Sequence, residues 1–149
     1  MEEIKEIVKH NVEWLKGVHP ETEEDLVSYE SKLGFKLPTS MKWLLNNYGY
    51  STACGVENLE ESVIQTVECR DSINLPNNVL IINDWGDGGV VFCIADDSAD
   101  SEYKILITDA GDLQAYCVGE PLPKDIEKYP SFTKWVLSRL EFEKEESKY

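Results

Sequence analysis

Basic residues are scarce in this sequence. Its 149 residues include 14 Lys and Arg against 29 Asp and Glu, so the formal net charge is −15. A nucleic-acid partner needs clustered Lys and Arg side chains at its phosphates, and a surface this acidic repels a polyanion. The composition therefore argues against nucleic acid as a partner. It favours a basic protein, because complementary charge speeds encounter and rejects wrong partners.

Metal-binding and catalytic motifs are also lacking. The four cysteines are spaced by 15, 24 and 24 residues without a C-x-x-C pair, whereas zinc ligands usually come in close pairs. The two histidines lie in or just after the first predicted helix, and the sequence has no G-x-S-x-G nucleophile motif. We therefore expect reduced thiols that act as small buried hydrophobic groups, no metal or cofactor, and no enzymatic activity.

Long hydrophobic runs are missing as well. No apolar stretch approaches the roughly 20 residues that a membrane-spanning helix needs. The first five residues start acidic and do not have the basic beginning of a secretory signal. These features predict a cytoplasmic protein that makes no contact with a membrane.

The residues that are present predict a folded domain. Hydrophobic residues make up 42% of the sequence, with four Trp, seven Tyr and four Phe, which is too many for a disordered chain. The length suits one domain. We predict a single domain over residues 1–149, with its core at about 20–140 and a charged C-terminal tail, 141–149, that frays.

Apolar periodicity predicts helices first and strands afterwards. Apolar residues recur at helical spacing in residues 2–16, 22–34, 38–49 and 131–140, and Thr66 is a candidate N-cap for a short helix to about Ile73. Short runs rich in β-branched and aromatic residues indicate strands at 79–82, 90–94, 103–107 and 113–118. The predicted fold is α+β: N-terminal helices, an antiparallel β-sheet meander and a C-terminal helix packed on the sheet.

Acidic residues are concentrated in the middle of the sequence. Residues 43–123, called the acidic middle below, contain fourteen Asp and Glu but only Arg70 and Lys104 as bases. The two flanks together are nearly balanced. An excess of one charge opposes compaction, so it needs a reason. We predict that the sheet half of the protein presents an acidic surface to a cationic protein.

The first of two acidic loops is Asp84-Trp85-Gly86-Asp87-Gly88-Gly89. Its composition predicts a tight turn, since Gly adopts positive φ and Asp accepts hydrogen bonds from a turning backbone. A phosphate cradle is disfavoured because a strand, not a helix, follows the loop. Trp85 is either an anchor for a partner, as aromatic residues often are at interfaces, or a core residue.

The second acidic loop, residues 96–102, carries oxygen-bearing side chains at positions 96, 98, 100 and 102. A calcium loop needs Gly at the position that Ser101 occupies and a bidentate Glu at the end of the loop, and this sequence has neither. An exposed hairpin loop is therefore the stronger interpretation. In either case the loop offers negative charge to Lys or Arg side chains of a partner.

The order of several short motifs resembles that of a known superfamily. The pattern is an acid before an LG-x-x-LP turn, an aromatic-Leu pair before a terminal Gly, and then a strand, a Gly-Asp turn and a second strand. These motifs are Glu30 with Leu33-Gly34-x-x-Leu37-Pro38, Trp43-Leu44 with Tyr48-Gly49, and the segments 79–82, 84–88 and 91–94. Over roughly residues 22–137 the sequence resembles the SUKH superfamily of yeast cell-wall assembly regulators and bacterial immunity proteins, in particular its YobK-like immunity branch.

The resemblance implies a single α+β domain that binds and neutralises a cognate polymorphic toxin, often a nuclease with a basic C-terminal toxin domain. It carries over no catalytic residues. The acidic surface then either imitates a polyanion in the toxin's cleft or covers that cleft from beside it. The partner-binding residues that we predict are Asp84, Trp85, Asp87, Asp96, Asp97, Asp100, Glu102 and Glu57.

Two alternative functions stay open. The first is an intracellular scaffold or regulatory module that binds several host proteins, as the eukaryotic relatives do. The second is a hydrolase, which requires a pocket with convergent carboxylates of raised pKa.

Overall fold

The computed structural model describes residues 1–96 and 102–148. Its helices are α1 (Glu2–His10), α2 (Val12–Leu15), α3 (Glu23–Leu33), α4 (Thr39–Asn47), α5 (Leu59–Ser72), α6 (Ala110–Cys117) and α7 (Phe132–Glu146). Its strands are β1 (Val79–Asp84), β2 (Val90–Ile94), β3 (Lys104–Thr108) and β4 (Glu127–Tyr129). The strands form one antiparallel sheet of order β1-β2-β3-β4, and α7 packs on it. The predicted α+β architecture is confirmed.

The prediction of a strand at 113–118 is wrong, because Ala110–Cys117 form α6. Asp109 precedes this helix with extended backbone, and its side chain accepts a hydrogen bond from Asp112 N at 2.7 Å. Such an N-cap satisfies a helical N–H that otherwise lacks a partner, and here it outweighs the strand preference of the residues that follow. The fourth strand is instead Glu127–Tyr129, which is too short and too charged to give an apolar pattern.

Helix α5 begins earlier than predicted, and Thr66 lies inside it rather than at its N-terminus. The N-cap is Asn58, whose side chain accepts a hydrogen bond from Glu61 N at 3.1 Å. Ile81 N donates to the buried Thr66 hydroxyl at 2.9 Å, and the Ser62 hydroxyl donates to Ile82 O at 2.7 Å. Strand β1 is at the edge of the sheet, and the hydroxyls of α5 form hydrogen bonds with backbone groups of β1 that have no partner strand.

The terminal helices also differ from the sequence pattern. The predicted helix at 2–16 is interrupted at Asn11, which is buried and donates a side-chain hydrogen bond to Ile7 O at 2.7 Å. At the other terminus, α7 continues to Glu146, into the segment for which the sequence predicts fraying. An Arg139–Glu143 ion pair of 2.7 Å, one helical turn apart, supports this extension.

The LG-x-x-LP motif has a structural explanation. Gly34 follows α3 with φ of +85°, the left-handed conformation that commonly ends a helix at glycine. The buried Glu30 carboxylate accepts a hydrogen bond from Leu37 N at 2.7 Å and pairs with Lys42 at 3.1 Å. This carboxylate holds the turn between α3 and α4, so its place in the motif reflects folding.

Each face of the sheet has its own hydrophobic cluster, because successive side chains of a strand point to opposite faces. The larger cluster joins one face to the N-terminal helices and to Trp135 and Val136 of α7. The smaller cluster joins Ile81, Phe92 and Leu106 of the other face to Leu113 of α6. Helix α7 and the turn after β1 are thereby fixed to the same sheet, which positions the site described next.

Candidate functional site: an acidic, aromatic cleft at one end of the sheet

The sheet separates the predicted partner-binding residues into two groups. Asp84, Trp85 and Asp87 lie in the connection between β1 and β2, whereas Asp96 and Glu102 lie in the connection between β2 and β3. Consecutive turns of a meander lie at opposite ends of the strands, so β2 separates the two groups by about 14 Å or more. Asp97 and Asp100 lie outside the described residues, as does most of the loop considered for calcium.

At the β2–β3 end, Glu102 has a structural task. Its carboxylate accepts hydrogen bonds from Thr133 N at 3.1 Å and from the Thr133 hydroxyl at 3.0 Å, and its carbonyl accepts one from Phe132 N at 3.1 Å. Glu102 therefore holds the first turn of α7, whose N–H groups need acceptors. Asp96 is exposed at the same end. The contact between Glu102 and Thr133 spans 31 residues, and no local pattern announces it.

At the β1–β2 end, the predicted tight turn is confirmed. Asp84 Oδ1 accepts a hydrogen bond from Gly86 N at 2.9 Å, and residues Gly86–Gly88 form one short 3-10 turn. Gly89 has φ of +99°, and a Cβ there would lie 3.0 Å from Ile107 Cγ2 of β3. Asp84, Trp85 and Asp87 are all exposed on this turn.

Glu57 lies near the same end of the sheet. Asn83, next to Asp84, donates a side-chain hydrogen bond to the carbonyl of Gly55, two residues before Glu57. Gln65 of α5 donates to Asp84 Oδ2 at 3.4 Å, which places the first half of α5 beside the turn. The structure thus gathers Glu57, Asp84, Trp85 and Asp87 at the β1–β2 end, and Glu57 is exposed.

Arg139 of α7 is a residue of this site that the sequence pattern did not indicate, as are Glu127, Tyr129 and Phe142. Its guanidinium lies 5.4 Å from the ring centre of Trp85 and 5.4 Å from that of Phe142, within the range of cation–π attraction. It also donates hydrogen bonds to Thr52 O at 3.1 Å and to Glu143 at 2.7 Å. Trp85 and Phe142 stay 38% and 54% exposed, so the stack presents aromatic surface to solvent. Trp85 is therefore an exposed residue rather than a core residue.

A cleft of about 400 Å³ lies beside this stack, between α7 and strands β3 and β4. Its lining residues are Trp85, Ile107, Glu127, Tyr129, Trp135, Ser138, Arg139, Phe142 and Glu143. The Ser138 hydroxyl donates to the Tyr129 hydroxyl at 3.2 Å, which in turn donates to Glu127 Oε2 at 2.9 Å. Burial is the largest cause that raises the pKa of Tyr129 above its ordinary value; the hydrogen bond with Ser138 opposes it, and the hydrogen bond to Glu127 and the charge of Glu127 add to it. Tyr129 therefore stays a neutral donor at physiological pH.

At the β1–β2 end, no carboxylate of the acidic middle forms an ion pair with a lysine or arginine of the described residues. Ion pairs of the described chain join carboxylates of the flanks, namely Glu2, Glu3, Glu6, Glu30, Glu143 and Glu145. Arg70 instead donates to the carbonyls of Leu33 and Asn77, and Lys104 donates to the Tyr116 hydroxyl at 2.6 Å. Both bases of the acidic middle therefore contact neutral groups.

The cysteines are free. Cys54 and Cys93 are buried as expected, and burial raises the pKa of the Cys93 thiol well above its ordinary value. For Cys117 the expectation of burial is wrong, because it ends α6 and is exposed. Within residues 1–96 and 102–148, no three His, Cys, Asp or Glu side chains are grouped so as to hold a metal ion.

None of the helices described here is both long and apolar enough to cross a membrane.

Glu30 is the one carboxylate among the buried polar residues of the described chain, and the ammonium groups of Lys36 and Lys42 lie within 4.0 Å of it.

Comparison with known proteins places the chain in a family. A family model of the SUKH group, SUKH_5, described as SMI1-KNR4 cell-wall, matches residues 1–141. No curated protein and no solved structure matches the chain. The family match spans every strand of the described sheet and all but the last turns of α7. The protein therefore belongs to the SUKH superfamily, as the order of its motifs predicts.

Proposed function

We propose that this protein is a cytoplasmic immunity protein, of the YobK-like kind, that binds and neutralises a cognate basic toxin domain. The observation that carries the proposal is the unneutralised acidic surface beside an aromatic cleft at the β1–β2 end of the sheet. Membership of the SUKH superfamily supports a protein-binding role in general. No catalytic step is part of the proposal.

Charge and aromatic surface have separate tasks in this mechanism. The acidic middle attracts a cationic domain over distances longer than a contact, which raises the association rate and makes it sensitive to salt. Trp85, Arg139 and Tyr129 then supply the residue types that dominate binding energy at interfaces. Docking at the cleft covers the toxin's active site, so inhibition requires no chemistry.

The experiment starts from the gene adjacent to the one for this protein. Its product, when it ends in a basic toxin domain, is co-expressed with this protein and purified. The proposal expects a stable complex, rescue of cells from the toxin, and an affinity that falls as salt is raised from about 50 to 200 mM. A neighbouring toxin that neither binds nor is inhibited contradicts the proposal.

A second candidate is a regulatory module that binds host proteins and meets no toxin. The description of the matching family, SMI1-KNR4 cell-wall, favours it. Under this alternative the neighbouring genes encode no toxin, and affinity capture from the protein's own cells retrieves several host proteins. Rescue of cells from a neighbouring toxin separates the two functions.

A further inference from the structure

We propose that the cleft beside Trp85 receives a single arginine side chain of the basic partner, with its guanidinium against the carboxylate of Glu127. This inference rests on the proposed function and names the group that the site recognises.

The cleft has the size and the walls for one long side chain. Its volume of about 400 Å³ is near the lower end of the range of ligand pockets. Trp85 and Phe142 stand at it with exposed aromatic surface, and Tyr129 lies on the β4 wall. Flat aromatic walls suit a planar guanidinium, which stacks on rings while its edge donates hydrogen bonds.

The charges of the walls leave one carboxylate without a cation. The charge of Arg139 is already paired, because its Nη2 lies 2.7 Å from Glu143 and also donates to Thr52 O at 3.1 Å, although its buried Nε has no hydrogen-bond partner among the described residues. Glu127 accepts a hydrogen bond from the Tyr129 hydroxyl, and no Lys, Arg or His of the described residues lies within 4.0 Å of it. A guanidinium from a partner would supply the missing counter-charge with paired donors.

Strand β4 offers an internal contrast. Glu127 lines the cleft on the α7 side of the sheet, whereas Lys104 and Lys128 lie on the opposite face and line a second hollow. Tyr129 contributes to the lining of both. The lysines of that hollow repel an arginine, and the carboxylate of the cleft attracts one. A second copy of this chain is a poor occupant because two molecules of net charge −15 repel each other.

The test uses three blocked tripeptides, acetyl-Gly-X-Gly-amide, in which X is arginine, lysine or citrulline. Each is titrated into the ¹⁵N-labelled full-length protein while the amide and indole signals are followed by NMR. We expect the arginine peptide to shift the signals of Trp85, Glu127 and Arg139 with a dissociation constant of about 1–10 mM. Lysine should bind more weakly, and citrulline, which has the same shape without the charge, should not bind.

Two variants make the test specific. Glu127→Gln keeps an acceptor for the Tyr129 hydroxyl and removes the charge, so affinity for the arginine peptide should fall about fivefold or more. Glu120→Gln removes one charge from an exposed acid outside the cleft and should leave the affinity unchanged. Equal binding of citrulline, an unchanged affinity in Glu127→Gln, no binding of any peptide, or shifts centred on Asp96 would each overturn the inference.

The failure of this inference differs from failure of the proposed function. If Glu127→Gln binds the toxin domain as tightly as the unmodified protein does, the arginine site is wrong while toxin binding stands. If the neighbouring gene product does not bind but the arginine peptide binds through Glu127, the arginine site stands and the toxin assignment fails.

Discussion

The two ends of the sheet carry similar acidic residues but use them differently. At the β1–β2 end, Glu57 and Asp87 are exposed, and neither forms an ion pair within 4.0 Å with a lysine or arginine of the described chain. At the β2–β3 end, the carboxylate of Glu102 is occupied by two groups of Thr133. An acid can serve a partner only when the fold leaves its oxygens accessible, and composition alone does not reveal which acids meet this condition.

The largest effect is expected where the loop before α5 meets α7. Gly55 has φ of +81°, and a Cβ there would overlap the indole of Trp135, so Gly55→Ala should lower the free energy of unfolding by about 3 kcal/mol or more. Gly34→Ala is the matched control, since Gly34 has φ of +85° and, apart from its own chain neighbours, no heavy atom of the described chain lies within 4 Å of a Cβ placed there. It should cost only about 1 kcal/mol, because only backbone strain remains. Urea unfolding of both variants measures the difference. Equal losses of unfolding free energy would show that the Trp135 side chain moves to make room for the added methyl group.

A second pair of variants sharpens the contrast between the ends. Glu102→Ala should lower the free energy of unfolding by about 2 kcal/mol, because the first turn of α7 loses two hydrogen bonds. Asp87→Ala should change it by less than about 0.5 kcal/mol, since Asp87 is exposed. For toxin affinity we expect the opposite order, with Asp87→Ala weakening binding more than Glu102→Ala does. If Asp87→Ala lowers the free energy of unfolding more than Glu102→Ala does, the assignment of a structural role to the β2–β3 end alone is wrong.

Charge reversal tests the β1–β2 end directly. The double variant Glu57→Lys/Asp87→Lys should weaken toxin affinity about tenfold, or about 1.4 kcal/mol, and flatten its salt dependence. The control Glu13→Lys/Glu24→Lys makes the same change in net charge on exposed helical residues of the N-terminal flank. Calorimetric titration at two salt concentrations compares them. Equal losses in both variants would mean that total charge matters and its location does not.

The smallest effect concerns an occupied carboxylate outside the sheet. Glu21 accepts hydrogen bonds from Tyr29 and Tyr50, and burial followed by the charge of Glu21 raises the pKa of Tyr29 to about 12. For Tyr50, burial followed by the hydrogen bond to Glu21 also raises the pKa. The unfolded chain releases these protons first, so the stability contributed by each tyrosine is complete below pH 10 and is lost as pH rises through the folded pKa.

Between pH 10 and pH 11 each tyrosine should account for a loss of about 1 kcal/mol in the free energy of unfolding. Tyr50→Phe should therefore show a shallower decline over this interval than the unmodified protein does. Urea unfolding at both pH values measures the difference. Identical slopes would show that Tyr50 titrates normally.

Local patterns predicted most of the fold and part of the site. Helical spacing located α3, α4 and α7, because each of these helices buries one apolar face. Continuous β-branched runs located β1, β2 and β3, because these strands are buried on both faces of the sheet. The Gly-Asp turn was predictable from residue types. Helix α6 and strand β4 were not, since a side-chain cap decides the first and pairing with β3 decides the second. Neither is visible in hydrophobic periodicity.

The α+β class, the superfamily and the excess of acid in residues 43–123 follow from the order of the residues along the chain. Which acids remain available to a partner depends on the folded arrangement, because the groups that pair with a carboxylate are distant from it in sequence. Thr133 of α7 donates to the carboxylate of Glu102, while Arg139 of the same helix stacks on Trp85 in the cleft that Glu127 also lines. Glu127 accepts a hydrogen bond from Tyr129 but has no ion pair among the described residues. A carboxylate's role follows from the distance to its nearest donors, and folding sets that distance.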